Sequence, residues 1–153
     1  MSDPMNELPL RYGVEVGEGE TAISPDLDDL YARTKIDPND LDGELVEQAG
    51  LYAWWCVLAA EADFEADMAE RSLGVVEAQA TARLKAGGEA ATNVGKLVKG
   101  EDEYVEALDT YLLAKRNSSI MRGVLRTLEH RREMLVALCH RRNKEFGAAR
   151  DSI

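Results

Sequence analysis

The sequence predicts an all-α protein. Its expected architecture is a long antiparallel helical hairpin, two helices of about 40 residues joined by a short helical connector, preceded by a flexible acidic N-terminal arm and oligomerising. Three observations carry this. Four prolines and 6% aromatics in 153 residues leave a composition rich in the residues that favour helix. Two heptad series run without proline over 45–85 and 104–146. Between them stand Gly87-Gly88 and Gly100, with no strand-period alternation to compete.

Residues 1 to about 24 contain Pro4, Pro9, Gly13, Gly17 and Gly19 among scattered acids. Val14 and Val16 suit a short extended piece, but no periodic apolar face accompanies them, so the segment reads as a flexible arm. Ser24-Pro25-Asp26-Leu27 starts a short helix, with Ser24 as N-cap and Pro25 at the first helical position. The arm with this helix takes residues 1–36, and the hairpin domain takes 37–150, opening on Asp37-Pro38-Asn39-Asp40-Leu41.

The first long helix has Leu45, Tyr52, Ala59, Ala66, Leu73 and Ala80 seven apart, with Trp55, Ala62, Ala69 and Val76 three after members of that row. At 1.5 Å per residue it would be roughly 60 Å long. Gly87-Gly88 ends it, a turn or two follow around Val94, Leu97 and Val98, and Gly100 closes the connector. Glu101-Asp102-Glu103 then supply acids to a helix N-terminus. The second helix repeats Tyr104, Tyr111, Ser118, Leu125, Arg132, Cys139 and Phe146 beside Ala107, Ala114, Met121, Leu128, Leu135 and Arg142. Trp54, Val57, Phe64, Ile120, Val124 and Val136 lie off this seam, and surplus apolar surface of that kind predicts self-association. The hairpin register sets Cys56 near Glu129–Arg132 and away from Cys139, so no intrachain disulfide is expected.

Charge is divided along the chain. The formal net charge is −11, yet residues 1–70 hold 18 acids against three bases, whereas 115–150 hold ten bases against three acids. Chemistry is harder to find. Carboxylate pairs Glu61/Glu65 and Asp63/Asp67 read as a solvated acidic face, because no Glu-x-x-His supports a metal site. His130 and His140 lie ten apart, off the spacing of a metal-binding helix face. Gly87-Gly88 and Gly95-Lys96 lack the rest of a phosphate loop. No catalytic set, cofactor or metal site emerges, and the expectation is a non-enzyme. The first residues lack a basic n-region and an apolar h-region, and apolar runs such as Val57-Leu58-Ala59-Ala60 are far short of the ~20 residues that span a bilayer. A cytoplasmic protein without a membrane role is expected.

The basic half of the second helix stands out. Seven arginines and no lysine fall within 116–142, and arginine suits phosphate forks and base stacking. Lys115, Arg122 and Arg126 fall near one stripe. Part of the cluster suits the helix C-terminus and the acidic head instead.

The order of short segments resembles a known family. Asp37-Pro38-Asn39-Asp40-Leu41 is followed by Leu51-Tyr52-Ala53-Trp54-Trp55, then by a helix ending Ala82-Arg83-Leu84-Lys85. After a glycine-containing connector come Glu103-Tyr104-Val105-Glu106-Ala107 and a helix with Leu128-Glu129-His130-Arg131-Arg132-Glu133. Over roughly 37–146 this resembles the small helical phage proteins of the UvsY type, which are recombination mediators. The resemblance implies a homo-oligomer that binds single-stranded DNA and helps load a RecA-like recombinase onto strands coated by single-stranded-DNA-binding protein. It places Arg83-Leu84 on the family's K-A-R-L element, with Thr81 where that element has lysine, and His130-Arg131 on its Ser-Arg. With the charge reading, the expected DNA-binding residues are Arg83, Lys85, Lys96, Lys99, Lys115, Arg116, Arg122, Arg126, Arg131, Arg141 and Arg142. Two rival expectations remain: an acidic helical interaction protein or DNA mimic, and a coiled-coil scaffold or virion component.

Overall fold

The computed structural model describes residues 13–150 apart from 18, 20 and 21. Among these, four helices follow in order: α1 (Leu27–Thr34), α2 (Leu41–Ala86), α3 (Ala91–Val98) and α4 (Asp102–Arg150). Gln48 of α2 meets Leu128 and Arg131 of α4, Asp63 meets Ser118 and Arg122, and Arg83 meets Glu101 just ahead of α4. Rising numbers on one helix oppose falling numbers on the other. The pair is therefore the antiparallel hairpin that the heptads predict.

Local chemistry sets each boundary. Asp26, not Ser24, caps α1, accepting from the amides of Asp28 and Asp29 at 2.9 Å each. A carboxylate at the positive end of a helix gains from the macrodipole as well as from the hydrogen bonds, and so the cap lies two residues later than the sequence suggests. Asp40 caps α2 by accepting from Gly43 N at 3.1 Å. At the far end Gly88 takes φ +89°, Glu89 N donates to Leu84 O at 3.2 Å and Gly88 N to Lys85 O at 3.1 Å. This is the Schellman pattern, and its left-handed residue is why Gly-Gly stops the helix there. Val94 and Val98 of α3 close the tip by packing with Ala80, Leu84 and Tyr104.

The main core lies toward the other end. Leu51, Trp55, Leu58, Ala59 and Ala62 of α2 pack with Met121, Val124 and Leu128 of α4. Leu30 of α1 joins them, as do Val14 and Val16. The flexible-arm expectation fails here. Val16 and Ile23 exchange backbone hydrogen bonds at 2.9 and 2.7 Å, with Gly17 and Gly19 at positive φ between them. Val14 is 4% exposed and Val16 1%. Residues two apart on an extended segment face the same way, which turns both valines onto the hairpin. Gly17 N donates to Glu65 of α2, and Asn117 Nδ2 of α4 donates to Glu15 O at 2.9 Å, so this strap is tied to both long helices. Residues 1–12 of the expected arm lie outside the described residues.

The seam of α4 also differs in one row. Met121, Leu128 and Leu135 are fully buried, as the heptad predicts, but their partners are Asn117, Val124 and Arg131. The expected row keeps Ser118 buried, but beyond it Leu125 is half-buried and Arg132 exposed. Both rows flank Met121 and Leu128 on the helix surface, and apolarity alone ranks them equally. Polar partners elsewhere in the fold decide between them.

Candidate nucleic-acid interface

The expected DNA-binding residues are spread along the hairpin, not gathered into one patch. From Glu101 at the tip to Arg142 the α4 axis covers about 62 Å. Near the open end, Arg131 is 3% exposed. Its Nη1 donates to Gln48 Oε1 at 2.7 Å, and its Nη2 is paired with Glu44. Gln48 Nε2 in turn donates to Leu128 O at 2.8 Å, and Glu44 also accepts from Asp37 N at 2.7 Å. Arg131 is thus a buried strut between the two helices. It cannot present its guanidinium to a phosphate without leaving Glu44 and Gln48 unpaired, and its place among the DNA-binding residues is withdrawn. Its neighbour Arg132, expected on the seam, points to solvent.

Several other bases meet acids. Arg142 Nη2 bonds Asp42 Oδ1 at 2.9 Å, and Arg141 Nε lies 3.9 Å from Glu145 one turn on. Arg122 Nε stands 3.1 and 3.2 Å from the two oxygens of Asp63, which also accepts from Ser118 Oγ at 2.5 Å. Burial alone would raise the Asp63 carboxyl. The Ser118 and Arg122 hydrogen bonds, with the Arg122 charge, outweigh it and hold the group below its ordinary value near 3.8. At the tip, Arg83 pairs with Glu101 and Glu103, and the Glu101 contact raises its pKa further.

The remaining bases differ in exposure. Lys115 Nζ bonds Tyr111 Oη at 3.0 Å and sits 5.2 Å from that ring's centroid, which leaves its charge at the surface. Arg116 is half-buried and reaches Asn117 Oδ1 at 3.3 Å. Arg126 on α4 and Lys85, Lys96 and Lys99 around the tip are exposed, with no ion-pair partner among the described residues. Lys115, Arg122 and Arg126 recur at intervals of seven and four, which stacks them along the outer side of α4. Glu129 and Glu133 interrupt that line below Arg126.

Two functional features escaped the sequence reading. Asp63 and Glu65, expected on a solvated acidic face, and Glu44, which the sequence did not single out, are the tie points of α4 and the strap. The strap itself was signalled only by Val14-Glu15-Val16. Cys56 lies beside Tyr52, whose hydroxyl donates to Glu129 Oε1 at 3.2 Å, as the hairpin register predicts, and both cysteines are free. Among the described residues no group of three His, Cys, Asp or Glu is placed to hold a metal ion, and no helix is long and apolar enough to cross a membrane. No protein-family model, curated protein or solved structure matches the chain.

Proposed function

We propose that the chain binds single-stranded DNA as a homo-oligomer and acts as a recombination mediator, helping a RecA-like recombinase onto strands coated by single-stranded-DNA-binding protein. The supporting observation is the exposed cationic line of Lys115, Arg122 and Arg126 on α4, together with the unpaired Lys85, Lys96 and Lys99 at the tip. Such a line tracks a phosphate backbone electrostatically, and weak contacts on one subunit gain from avidity when several subunits hold one strand. Within the hairpin some acids of α2 are neutralised, Asp63 by Arg122, Glu44 by Arg131 and Asp42 by Arg142.

A second reading, an acidic protein-interaction or DNA-mimic protein, draws on those same ion pairs. Arg83, Arg131 and Arg142 are engaged within the chain, and the pairs made by Arg33, Arg122, Arg131 and Arg142 offset only a few of the 18 acids of residues 1–70. Fluorescence anisotropy with a labelled oligothymidine across a salt series separates the two. The mediator reading expects binding that weakens as salt rises, with each neutralised phosphate contributing about −0.7 to the slope of log affinity against log salt. Changing Lys85, Lys96, Lys99 and Arg126 to Ala should lower affinity at least about tenfold and flatten that slope, at constant helicity. Absence of binding at about 50 mM salt, where electrostatic association is strong, would leave the interaction reading in possession.

A further inference from the structure

The outer face of α2 carries a second apolar row that none of the described residues covers. Val46, Val57, Phe64 and Val75 follow at intervals of 11, 7 and 11, each close to a whole number of turns, and they are 78%, 65%, 59% and 49% exposed. Met68, one turn after Phe64, is 45% exposed. Each lies about half a turn from a residue packed toward α4: Val57 from Trp55, Phe64 from Ala62, Val75 from Leu73. The row therefore faces directly away from the hairpin partner. A monomer rarely exposes an apolar stripe of this length.

We infer that this face joins a second copy of the same chain, α2 against α2 in antiparallel register about a two-fold axis near residue 69. Spacing, charge and position select that occupant. Phe64 and Val75 stand almost equally far from residue 69 on either side, at nearly the same angle around the helix. Antiparallel pairing therefore sets Phe64 of each copy beside Val75 of the other; parallel pairing would set Phe64 against Phe64.

Charge and position agree. Asp67 and Arg71 border the stripe, and neither has an ion-pair partner among the described residues. Around an axis at residue 69 each would face the other's counterpart, giving two reciprocal pairs, whereas a parallel arrangement would oppose like charges. The axis also falls in the stretch of α2 that the chain supports least. The strap and α1 reach α2 as far as Glu65, α3 packs on it from Ala80, and no residue between Ala62 and Ala80 is buried. With the axis at residue 69 the two copies of α2 overlap over 52–86, about 51 Å, so at a helix width of about 10 Å they would bury on the order of 1,000 Å², the size at which specific interfaces begin.

This names the surface for the self-association that the proposed function requires, and it is tested without DNA so that the two stand or fall separately. Sedimentation equilibrium on the full chain should give twice the chain mass of 16.9 kDa. Phe64→Glu, or Val75→Glu as a second variant, should weaken association at least about 30-fold with unchanged helicity. In a Cys56→Ala/Cys139→Ala background, Met68→Cys should form a disulfide-linked dimer on mild oxidation, because it lies beside the axis, and Val46→Cys should not. A monomeric wild-type chain, an association indifferent to both Glu variants, or cross-linking at Val46→Cys with none at Met68→Cys would each overturn the proposal.

Discussion

The strapped half of the hairpin and its waist are made from the same two helices, yet they bury side chains very differently. Around Trp55 and Leu128 a third layer is present, and Ala62, Met121, Leu128 and Val16 are at most 1% exposed. In the waist, from residue 63 to 79 on α2 and from 102 to 116 on α4, no residue is buried. Ala66, Ala69, Leu73 and Val76 occupy the seam there as the heptads predict, but they are only half-buried. Two helices touch along one stripe, and solvent reaches that stripe from both sides. Full exclusion of water takes a third element, which the strap and α1 supply at one end and α3 at the other.

That contrast is breakable, and its sharpest test is the strap. Deleting residues 1–24 removes Val14 and Val16 from the core and leaves Asn117 without its backbone partner. The expected loss is about 3–5 kcal/mol, read as a lower urea midpoint with an unchanged final baseline. A deletion that melts like the full chain would show that α1 alone seals the core.

Next in size is the strut. Arg131→Ala should destabilise by about 3 kcal/mol because Glu44 and Gln48 lose their partner inside the helix pair. Arg132→Ala, one residue away and exposed, should stay within about 0.5 kcal/mol. Equal effects in chemical denaturation would place the α4 seam on the Leu125 and Arg132 row after all.

The waist should be correspondingly tolerant. Leu73→Ala is expected to cost about 1 kcal/mol, against about 3 for Leu128→Ala in the sealed half, because a half-exposed side chain leaves no closed cavity. Native-state hydrogen exchange should show the same order, with amides of 63–79 exchanging before those of 51–62.

The smallest effect concerns acid. The Asp63 carboxyl is held below its ordinary value near 3.8 in the folded chain, so its contribution is present above that pH and is lost as pH falls beneath it. Its side chain is 37% exposed, and screening keeps the contribution under about 1 kcal/mol. Asp63→Asn should therefore narrow the stability difference between pH 6 and about pH 3 by less than that amount. A wider gap in the variant would assign the acid sensitivity to other carboxylates.

The sequence by itself determined the helices and their antiparallel order. Proline-free heptads, an acid ahead of each long helix and a Gly-Gly stop are local signals, and each acts within a turn or two of the chain. The central α4 row of Met121, Leu128 and Leu135 was legible for the same reason. Which flanking row joined it was not, because Val124 and Leu125 are equally apolar, and the choice fell to partners 83 and 102 residues away, Gln48 for Arg131 and Glu15 for Asn117. The strap was hidden likewise, since two valines carry no period and gain a purpose only once a groove exists to receive them. The candidate interface divides along the same line. Composition marked the arginines of α4, but whether a guanidinium faces solvent or a carboxylate depends on what the opposite helix brings within 3 Å of it, and that is fixed by tertiary packing alone.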